Sequence, residues 1–240
     1  MARLPRLVIP GLPHHVILRG INAAPVFVDD ADFTFWCDML ADQLKAQPIH
    51  LHAYALLPSR IHLLVTPADA GILSRFMQAL GRRYVRYFNQ RHGRFGTLWE
   101  GRYRAGPMQP TPHVLNVMTY LDWLPVTQGL AERPRDYVWS SHRHYAGLAA
   151  QKMLTPHPLY WELADTPFGR EAAYQAFSEA GLGHAVTEQI EKSAMGGWLL
   201  ASASFAQDIA PGIARRLAPG RPGRPRKHPA TGDGAASQGH

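Results

Sequence analysis

The sequence lacks the features that mark secreted, membrane-spanning or disulfide-linked proteins. Cys37 is the only cysteine in 240 residues, so one chain forms neither a disulfide framework nor a cysteine-based zinc site. No run of about 18 apolar residues predicts a transmembrane helix. Near the N-terminus, the apolar stretch is interrupted by Pro5, Pro10 and Pro13 before a signal-peptide core can form. We therefore expect a cytoplasmic protein with no membrane partner.

Acidic residues are also too few to balance the basic ones. The chain has 25 Lys and Arg against 18 Asp and Glu, a formal net charge of +7. The excess lies mainly in an arginine-rich stretch at 75–104 and in the last 23 residues. A basic surplus concentrated in patches favours nucleic acid as the partner. No phosphate-binding glycine loop, HExxH zinc site or GxSxG nucleophile motif is present.

The hydrophobic pattern predicts an α+β fold with helices packed on a mostly antiparallel sheet. The expected order is strand 15–19, helix 30–45 capped by Asp29 or Asp30, strands 51–57 and 60–66 in a hairpin, helix 73–90, strand 102–108 and helix 110–124. Two short helices follow, at 170–180 and 185–195. We expect a main domain over 1–148, a helical appendage over 149–217 and a disordered basic tail over 218–240.

The second strand of the hairpin carries the most informative pair of residues. In HAYALLPSRIHLLVTP, at 52–67, Arg60 and His62 flank Ile61. Residues two apart on a strand point to the same face, so Arg60 and His62 are expected to project into one site. Ile61, Leu63 and Val65 are then expected to face the core.

Four phrases of the sequence form a series: HVILRG at 15–20, LLPSRIHLLV at 56–65, LGRRYVRYFNQRHGRFGTLWEGRYRA at 80–105 and TYLDWLPVTQGL at 119–130. The series resembles the IS200-like tyrosine transposases of the HUH, Y1 type, most closely the REP-associated members. The resemblance covers 5–148, and LTPHPLYWEL and GRPRK extend it more loosely. It implies a ferredoxin-like domain that binds single-stranded or hairpin DNA, usually as a homodimer, and cuts DNA with a tyrosine.

The chemistry implied by the resemblance uses two histidines one residue apart on a strand, both aimed at one divalent metal, Mg²⁺ or Mn²⁺. A helix-borne tyrosine attacks the scissile phosphate and forms a 5′-phosphotyrosyl link. His62 matches the second histidine and Tyr120 matches the nucleophile. Arg60 occupies the first histidine position, and Leu124 stands where relatives carry Asn or Gln.

Arginine has no lone pair to offer a metal, so the resemblance leaves two expected ligands missing. Our hypothesis is that Arg60 and Leu124 reduce or abolish cleavage. His52 or His15 is a candidate replacement nitrogen ligand, and Asp122 a candidate oxygen ligand. Two functions stay open: an active transposase, or a non-catalytic, domesticated or decayed DNA-binding protein. An RNA-binding or purely structural protein is a third alternative, as are packing roles for His62 and Tyr120.

The arginine-rich helix is predicted to bind DNA. Arg82 and Arg86 lie at i and i+4 with Arg83 adjacent, so one helix face is basic, and Tyr84, Tyr87, Phe88 and Trp99 are interleaved as base-stacking candidates. The alternative is a solvated face with ordinary core aromatics. The tail GRPGRPRKHP resembles an AT-hook, with a plain cationic tail as the alternative. The predicted DNA-binding residues are Arg60, Arg82, Arg83, Arg86, Arg91, Arg94, Arg102, Arg104, Arg221, Arg224, Arg226 and Lys227.

Overall fold

The computed structural model describes residues 6–220. Its strands are β1 (His14–Arg19), β2 (Ile49–Leu57), β3 (Arg60–Pro67) and β4 (Arg104–Pro107). Its helices are α1 (Asp30–Ala46), α2 (Ile72–Arg91), α3 (Pro110–Thr127), α4 (His142–Tyr145), α5 (Pro158–Trp161), α6 (Pro167–Ala180), α7 (His184–Gly196) and α8 (Ala203–Ile209). The AT-hook-like segment, with Arg221, Arg224, Arg226 and Lys227, lies outside the described residues.

The strands form one antiparallel sheet in the order β2-β3-β1-β4. With the chain order strand, helix, two strands, helix, strand, this is the ferredoxin-like arrangement, and the predicted α+β class is confirmed. The helices after β4 confirm a helical C-terminal part, whereas the exact domain boundaries stay a prediction. Within residues 6–220, no helix is long and apolar enough to cross a membrane.

The two faces of the sheet carry different kinds of side chain. Ile61, Leu63 and Val65 of β3 are buried in the main core, as predicted. Helices α1 and α2 cover this face, where Trp36 and Tyr84 are fully buried with ring centroids 5.0 Å apart. Asp29 caps α1 by accepting hydrogen bonds from two backbone amides, as its position in the sequence predicts.

Helices α3 and α7 lie on the opposite face, and α7 packs closely on β4. Gly106 of β4 makes this approach possible, because a Cβ placed there would lie 2.8 Å from the carbonyl oxygen of Trp198 and 3.1 Å from Ala194 Cα. Beyond α7, the Leu200 amide donates to the Pro107 carbonyl over 2.9 Å. The C-terminal helices are therefore attached to the edge of the sheet.

Helix α3 continues to Thr127, so the prediction that it ends near Leu124 is wrong by three residues. Pro125 lies in the last turn, where its missing amide removes one helical hydrogen bond and leaves little helix after it to disrupt. The turn is completed by Thr127 Oγ1 and the Gln128 amide, which donate to the Leu124 carbonyl over 2.9 and 3.1 Å. Leu124 thus lies on the same continuous helix as Tyr120.

The close packing of α7 on β4 gives a stability prediction. Gly106→Ala should lower the free energy of unfolding by about 1 to 3 kcal/mol, because the added methyl group meets backbone atoms that cannot rotate away. Urea denaturation measures the change. Gly212→Ala is the control, since no atom lies within 4 Å of its added Cβ. Equal stability of the two variants would contradict the packing of α7 described above.

Candidate functional site

The structure brings His62 and Tyr120 together and adds His15 to them. Antiparallel pairing of β1 with β3 places His15 on the same sheet face as His62, and His15 Nε2 lies 3.0 Å from His62 Nδ1. The Tyr120 ring of α3 packs against both imidazoles, with centroids 5.7 Å from His15 and 6.2 Å from His62. Both histidines are almost completely buried. The result is a compact cluster of two imidazoles and a phenol.

Burial keeps both imidazoles of this cluster neutral. Desolvation lowers the pKa of His15 to about 3. It also lowers the pKa of His62 well below 6.5, and His15 and Arg60 lower that pKa further. One neutral ring therefore donates to the other across the 3.0 Å contact. The remaining nitrogens, His15 Nδ1 and His62 Nε2, are buried and have no hydrogen-bond partner among the described residues.

Tyr120 is held in its protonated form. Burial raises the pKa of its hydroxyl above the usual value of 10.0, and Glu191 raises it further while Arg60 opposes that effect. Only 8% of Tyr120 is exposed. A protonated phenol is a weak nucleophile unless a base or metal activates it.

Arg60 extends from the same face of β3 towards α7. Its Nη1 lies 3.7 Å from Glu191 Oε1, and both side chains are partly exposed. A pair of this kind adds little to stability, because water screens both charges. Arg60 thus places a guanidinium beside the histidine cluster, at the position where the resemblance implies the first histidine of the motif.

Two of the three predicted replacement ligands are already engaged elsewhere. His52 is bonded through both ring nitrogens, to the Thr155 carbonyl over 2.7 Å and to Thr66 Oγ1 over 2.8 Å. Asp122 Oδ2 accepts hydrogen bonds from His142 Nδ1, Tyr174 Oη and Ser178 Oγ, at 2.8, 2.7 and 3.1 Å. These hydrogen bonds occupy both nitrogens of His52 and one oxygen of Asp122, so a ligand role for either residue stays a prediction and is not supported by their contacts. Asp122 instead fastens α3 to α4 and α6.

The donor set at the cluster does not fit the divalent metal that the resemblance implies. Of the motif positions, only His62 offers a lone pair, since Arg60 is cationic and Leu124 is apolar. His15 is close to His62, but one nitrogen of each ring is used in their mutual hydrogen bond. No group of three His, Cys, Asp or Glu side chains suited to a metal occurs in the part of the chain that the structure describes.

A cavity of about 530 Å³ opens beside Tyr120, between α3, α6 and α7. Tyr120, Trp123 and Leu124 line one side of it, and the acidic residues at the cavity are Glu179, Glu188 and Glu191. Each of these carboxylates pairs with a cation: Glu179 with Arg135, Glu188 with Lys192 and Glu191 with Arg60. The cavity therefore offers DNA no surplus of positive charge on the way to Tyr120. Sequence reasoning missed the cavity because these glutamates follow Tyr120 by about 60 to 70 residues.

The arginine-rich segment divides into paired and unpaired side chains. Arg83 pairs with Asp42 at 3.4 Å. Arg91 pairs with Asp29 and with the buried Asp32, and so joins α2 to the start of α1. By contrast, four exposed arginines make no side-chain hydrogen bond or ion pair with any residue in 6–220: Arg82, Arg86, Arg102 and Arg104. We call these four the arginine face.

The aromatic residues of this segment do not form the predicted stacking surface. Tyr84, Phe88 and Trp99 are buried in the core, so their proposed role in base stacking is wrong. Tyr87 is stacked on Phe35 with ring centroids 3.7 Å apart. Sequence reasoning missed Phe95, which is 94% exposed in the loop after α2. Its position between Gly93 and Gly96, which both have positive φ, was the available signal of an exposed loop.

Comparison with known proteins identifies this arrangement. Residues 9–122 match the family described as "Transposase IS200 like". The matched part, just under half of the chain, belongs to the IS200-like transposase family. The matched residues include Arg60, His62 and Tyr120, and they end before α4. The comparison with curated proteins gave no match.

One solved structure agrees with this fold. A REP-associated tyrosine transposase bound to a REP hairpin superposes with a TM-score of 0.52 at 14% identity, covering 65% of this chain and 99% of that one. A second structure, of a Deinococcus radiodurans protein described as a transposase, has 22% identity and a TM-score of 0.34, covering 43% of this chain and 84% of that one.

The buried histidine pair gives this transposase-family chain a predictable pH dependence. The histidines of the unfolded chain take up protons as the pH falls through about 6.5. In the folded protein the pKa of His15 is about 3 and the pKa of His62 is well below 6.5, so both rings stay neutral at that pH. Stability is therefore present above pH 6.5 and lost as the pH falls. His15 should contribute about 2 kcal/mol of loss between pH 7 and pH 5, and His62 should add to that loss.

The measurement is urea unfolding at the two pH values for the wild type and for H15N/H62N. The double variant should lose about 2 to 4 kcal/mol less than the wild type between pH 7 and pH 5. The exposed His184 supplies the control variant, H184N. If H15N/H62N lost as much unfolding free energy between pH 7 and pH 5 as the wild type, the pair would not be neutral in the folded protein.

Proposed function

We propose that this protein binds hairpin or single-stranded DNA on the arginine face and does not cut it. The observation that carries the binding is the set of four exposed arginines without internal partners. A fold has no structural use for four unneutralised guanidinium groups on neighbouring elements, whereas a phosphate backbone releases counterions when it binds them. The hairpin-bound relative of the same fold supports hairpin DNA as the partner.

Phe95 supplies the stacking surface in this proposal. It is almost fully exposed and lies in the loop between α2 and β4, so it neighbours the basic elements in the chain. Every base has a π-face, so stacking on one aromatic ring adds affinity without reading sequence. Arg82 and Arg86 would hold the backbone while Phe95 holds an unpaired base.

The proposed function does not include cleavage because two of the expected metal ligands are missing. A bound metal would polarise the scissile phosphate, but Arg60 and Leu124 donate no lone pair to one. Burial leaves the Tyr120 hydroxyl protonated by raising its pKa, an effect that Glu191 strengthens and Arg60 opposes. Arg60 remains able to contact a phosphate of bound DNA through its guanidinium group.

Retained cleavage is the second candidate, favoured by the packing of Tyr120 on His15 and His62. A divalent metal, Mg²⁺ or Mn²⁺, belongs to that candidate alone. A homodimer and the DNA contacts of Arg83, Arg91 and Arg94 remain predictions in both cases. The two candidates share the arginine face and differ in whether a covalent protein–DNA product forms.

The binding proposal predicts a specific effect on salt dependence. R82Q/R86Q should weaken binding of a labelled hairpin with a single-stranded flank, and it should reduce the slope of log Kd against log salt by about 2, since two phosphate contacts are lost. Fluorescence anisotropy over a salt series measures both quantities. R133Q/R216Q removes the same charge from exposed arginines outside the face and should leave the slope unchanged.

Phe95→Ala separates stacking from charge in the same experiment. It should weaken binding by about 1 to 3 kcal/mol with no change in the salt slope. Binding by the wild type that is weak and insensitive to salt would contradict the proposal, and so would equal effects of R82Q/R86Q and R133Q/R216Q.

The absence of cleavage predicts the outcome of a covalent-adduct assay. Wild-type protein incubated with the hairpin and Mn²⁺ should give no adduct on a denaturing gel. R60H/L124N restores the two missing donors, so it should form an adduct that is lost when Tyr120→Phe is added. A wild-type adduct that Y120F abolishes would establish the second candidate. Silence of R60H/L124N, with hairpin binding intact, would show that the donor set is not what prevents cleavage.

A further inference from the structure

A second basic feature lies at the edge of the sheet. A cavity of about 170 Å³ there is lined by four arginines from three separate parts of the chain. Arg104 begins β4 and Arg102 lies just before it, Arg6 precedes β1, and Arg215 follows α8. We call this feature the β4 cavity. Attachment of the C-terminal helices to β4 brings Arg215 to the other three arginines.

Two of the guanidinium groups are positioned by aromatic rings. Arg6 lies over the ring of Tyr103, 3.8 Å from its centroid. Arg215 lies 5.1 Å from the centroid of Trp198 and donates a hydrogen bond to the Gly197 carbonyl over 2.9 Å. Such stacking restricts a long side chain, so less freedom is lost when an anion binds. The cavity is therefore built around oriented donors.

The described residues that line the β4 cavity include no acidic side chain. Arg102 and Arg104 make no side-chain hydrogen bond or ion pair with any residue in 6–220, so no charge there neutralises them. Partial burial lowers the pKa of Arg215. An anion in the cavity is attracted by the charges of Arg102 and Arg104 together. The volume is below the range of about 300 to 1,000 Å³ for pockets that take drug-sized ligands, so the occupant is a small group.

A neighbouring cavity connects this feature to the arginine face. It has a volume of about 370 Å³, shares Arg6, Arg102 and Tyr103 with the β4 cavity, and reaches Arg82 on α2. Guanidinium groups thus continue from α2 to the edge of the sheet. A DNA strand held at Arg82 has a basic path that ends in the β4 cavity.

We propose that the β4 cavity binds one phosphodiester group of the bound DNA strand. The proposal rests on the proposed DNA-binding function and adds a site to it. Guanidinium groups suit this ligand because they offer paired N–H donors to phosphate oxygens. Arg215 and the ring that positions it lie beyond residues 9–122, so the C-terminal part takes a direct share in holding DNA.

The test scans the hairpin and its flank with single methylphosphonate substitutions, each of which removes the charge of one phosphate. One substitution should weaken wild-type binding roughly tenfold, as expected for loss of a charge-assisted contact. R104Q should bind unmodified DNA roughly tenfold more weakly and should no longer respond to that substitution. Arg104 makes no side-chain hydrogen bond or ion pair in 6–220 that its replacement would break, so we expect the fold to be preserved.

Arg215 supplies the second, independent arm of the experiment. R215K keeps the charge but loses the paired donors, and it should become insensitive to the same methylphosphonate position as R104Q. R216Q, a change in the next residue, which lies outside the cavity lining, should keep the wild-type response. Insensitivity of R104Q and R215K at one shared position is the signature of two arginines on one phosphate.

The outcomes separate this inference from the proposed function. Absence of hairpin binding by the wild type would overturn the proposed function and the inference with it. The wild type could bind the hairpin while R104Q and R215K share no methylphosphonate position at which both lose their response. That result would overturn the inference alone. Inorganic phosphate at constant ionic strength tests a free anion as occupant. If it binds the wild type and not R104Q while the scan shows no shared position, the cavity holds a free anion and the inference is wrong.

Discussion

The antiparallel register of β1 against β3 decides what the candidate site contains. Ile17 pairs with His62 and His15 with Leu64, so His15, His62 and Arg60 all lie on the face that α3 and α7 cover. Because strand side chains alternate, a slip of one residue would turn Arg60 into the α1–α2 core and turn the apolar residues of β3 to the face that α3 and α7 cover. The hydrophobic residues Ile61, Leu63 and Val65 thus fix the histidine cluster indirectly, through the register that their burial requires.

The local part of this arrangement was predictable from the sequence, and the long-range part was not. The alternation of side chains along β3 involves consecutive residues, so the sequence predicted that Arg60 and His62 share a face. The contact of His15 with His62 depends on the pairing of strands 47 residues apart. Glu191 reaches Arg60 from a helix more than 120 residues further on. No spacing rule connects residues at such separations. The first contact depends on strand pairing, and the second depends on how α7 packs on the sheet.

The basic helix shows a different kind of limit. In α2, Tyr84 and Phe88 lie four residues apart and are buried, while Arg82 and Arg86 lie four residues apart and are exposed. Helical spacing therefore separates the core aromatics from the arginines, which favours the alternative of core aromatics over the predicted stacking surface. What the sequence could not supply is the difference between Arg82 and Arg83. Only the position of Asp42 on α1 neutralises the second of these neighbours.

The distribution of charge links the two halves of the proposed function. Arginines without ion-pair partners in 6–220 lie on α2 and around the start of β4, whereas the three glutamates of the cavity beside Tyr120 are each paired with a cation. A DNA backbone is attracted to the first region, and the second offers it no comparable surplus of positive charge. In a domain built to cut, the phosphate must reach the tyrosine. Under the proposed function the arginines hold DNA, while the donors around His62 are too few to hold a metal beside Tyr120.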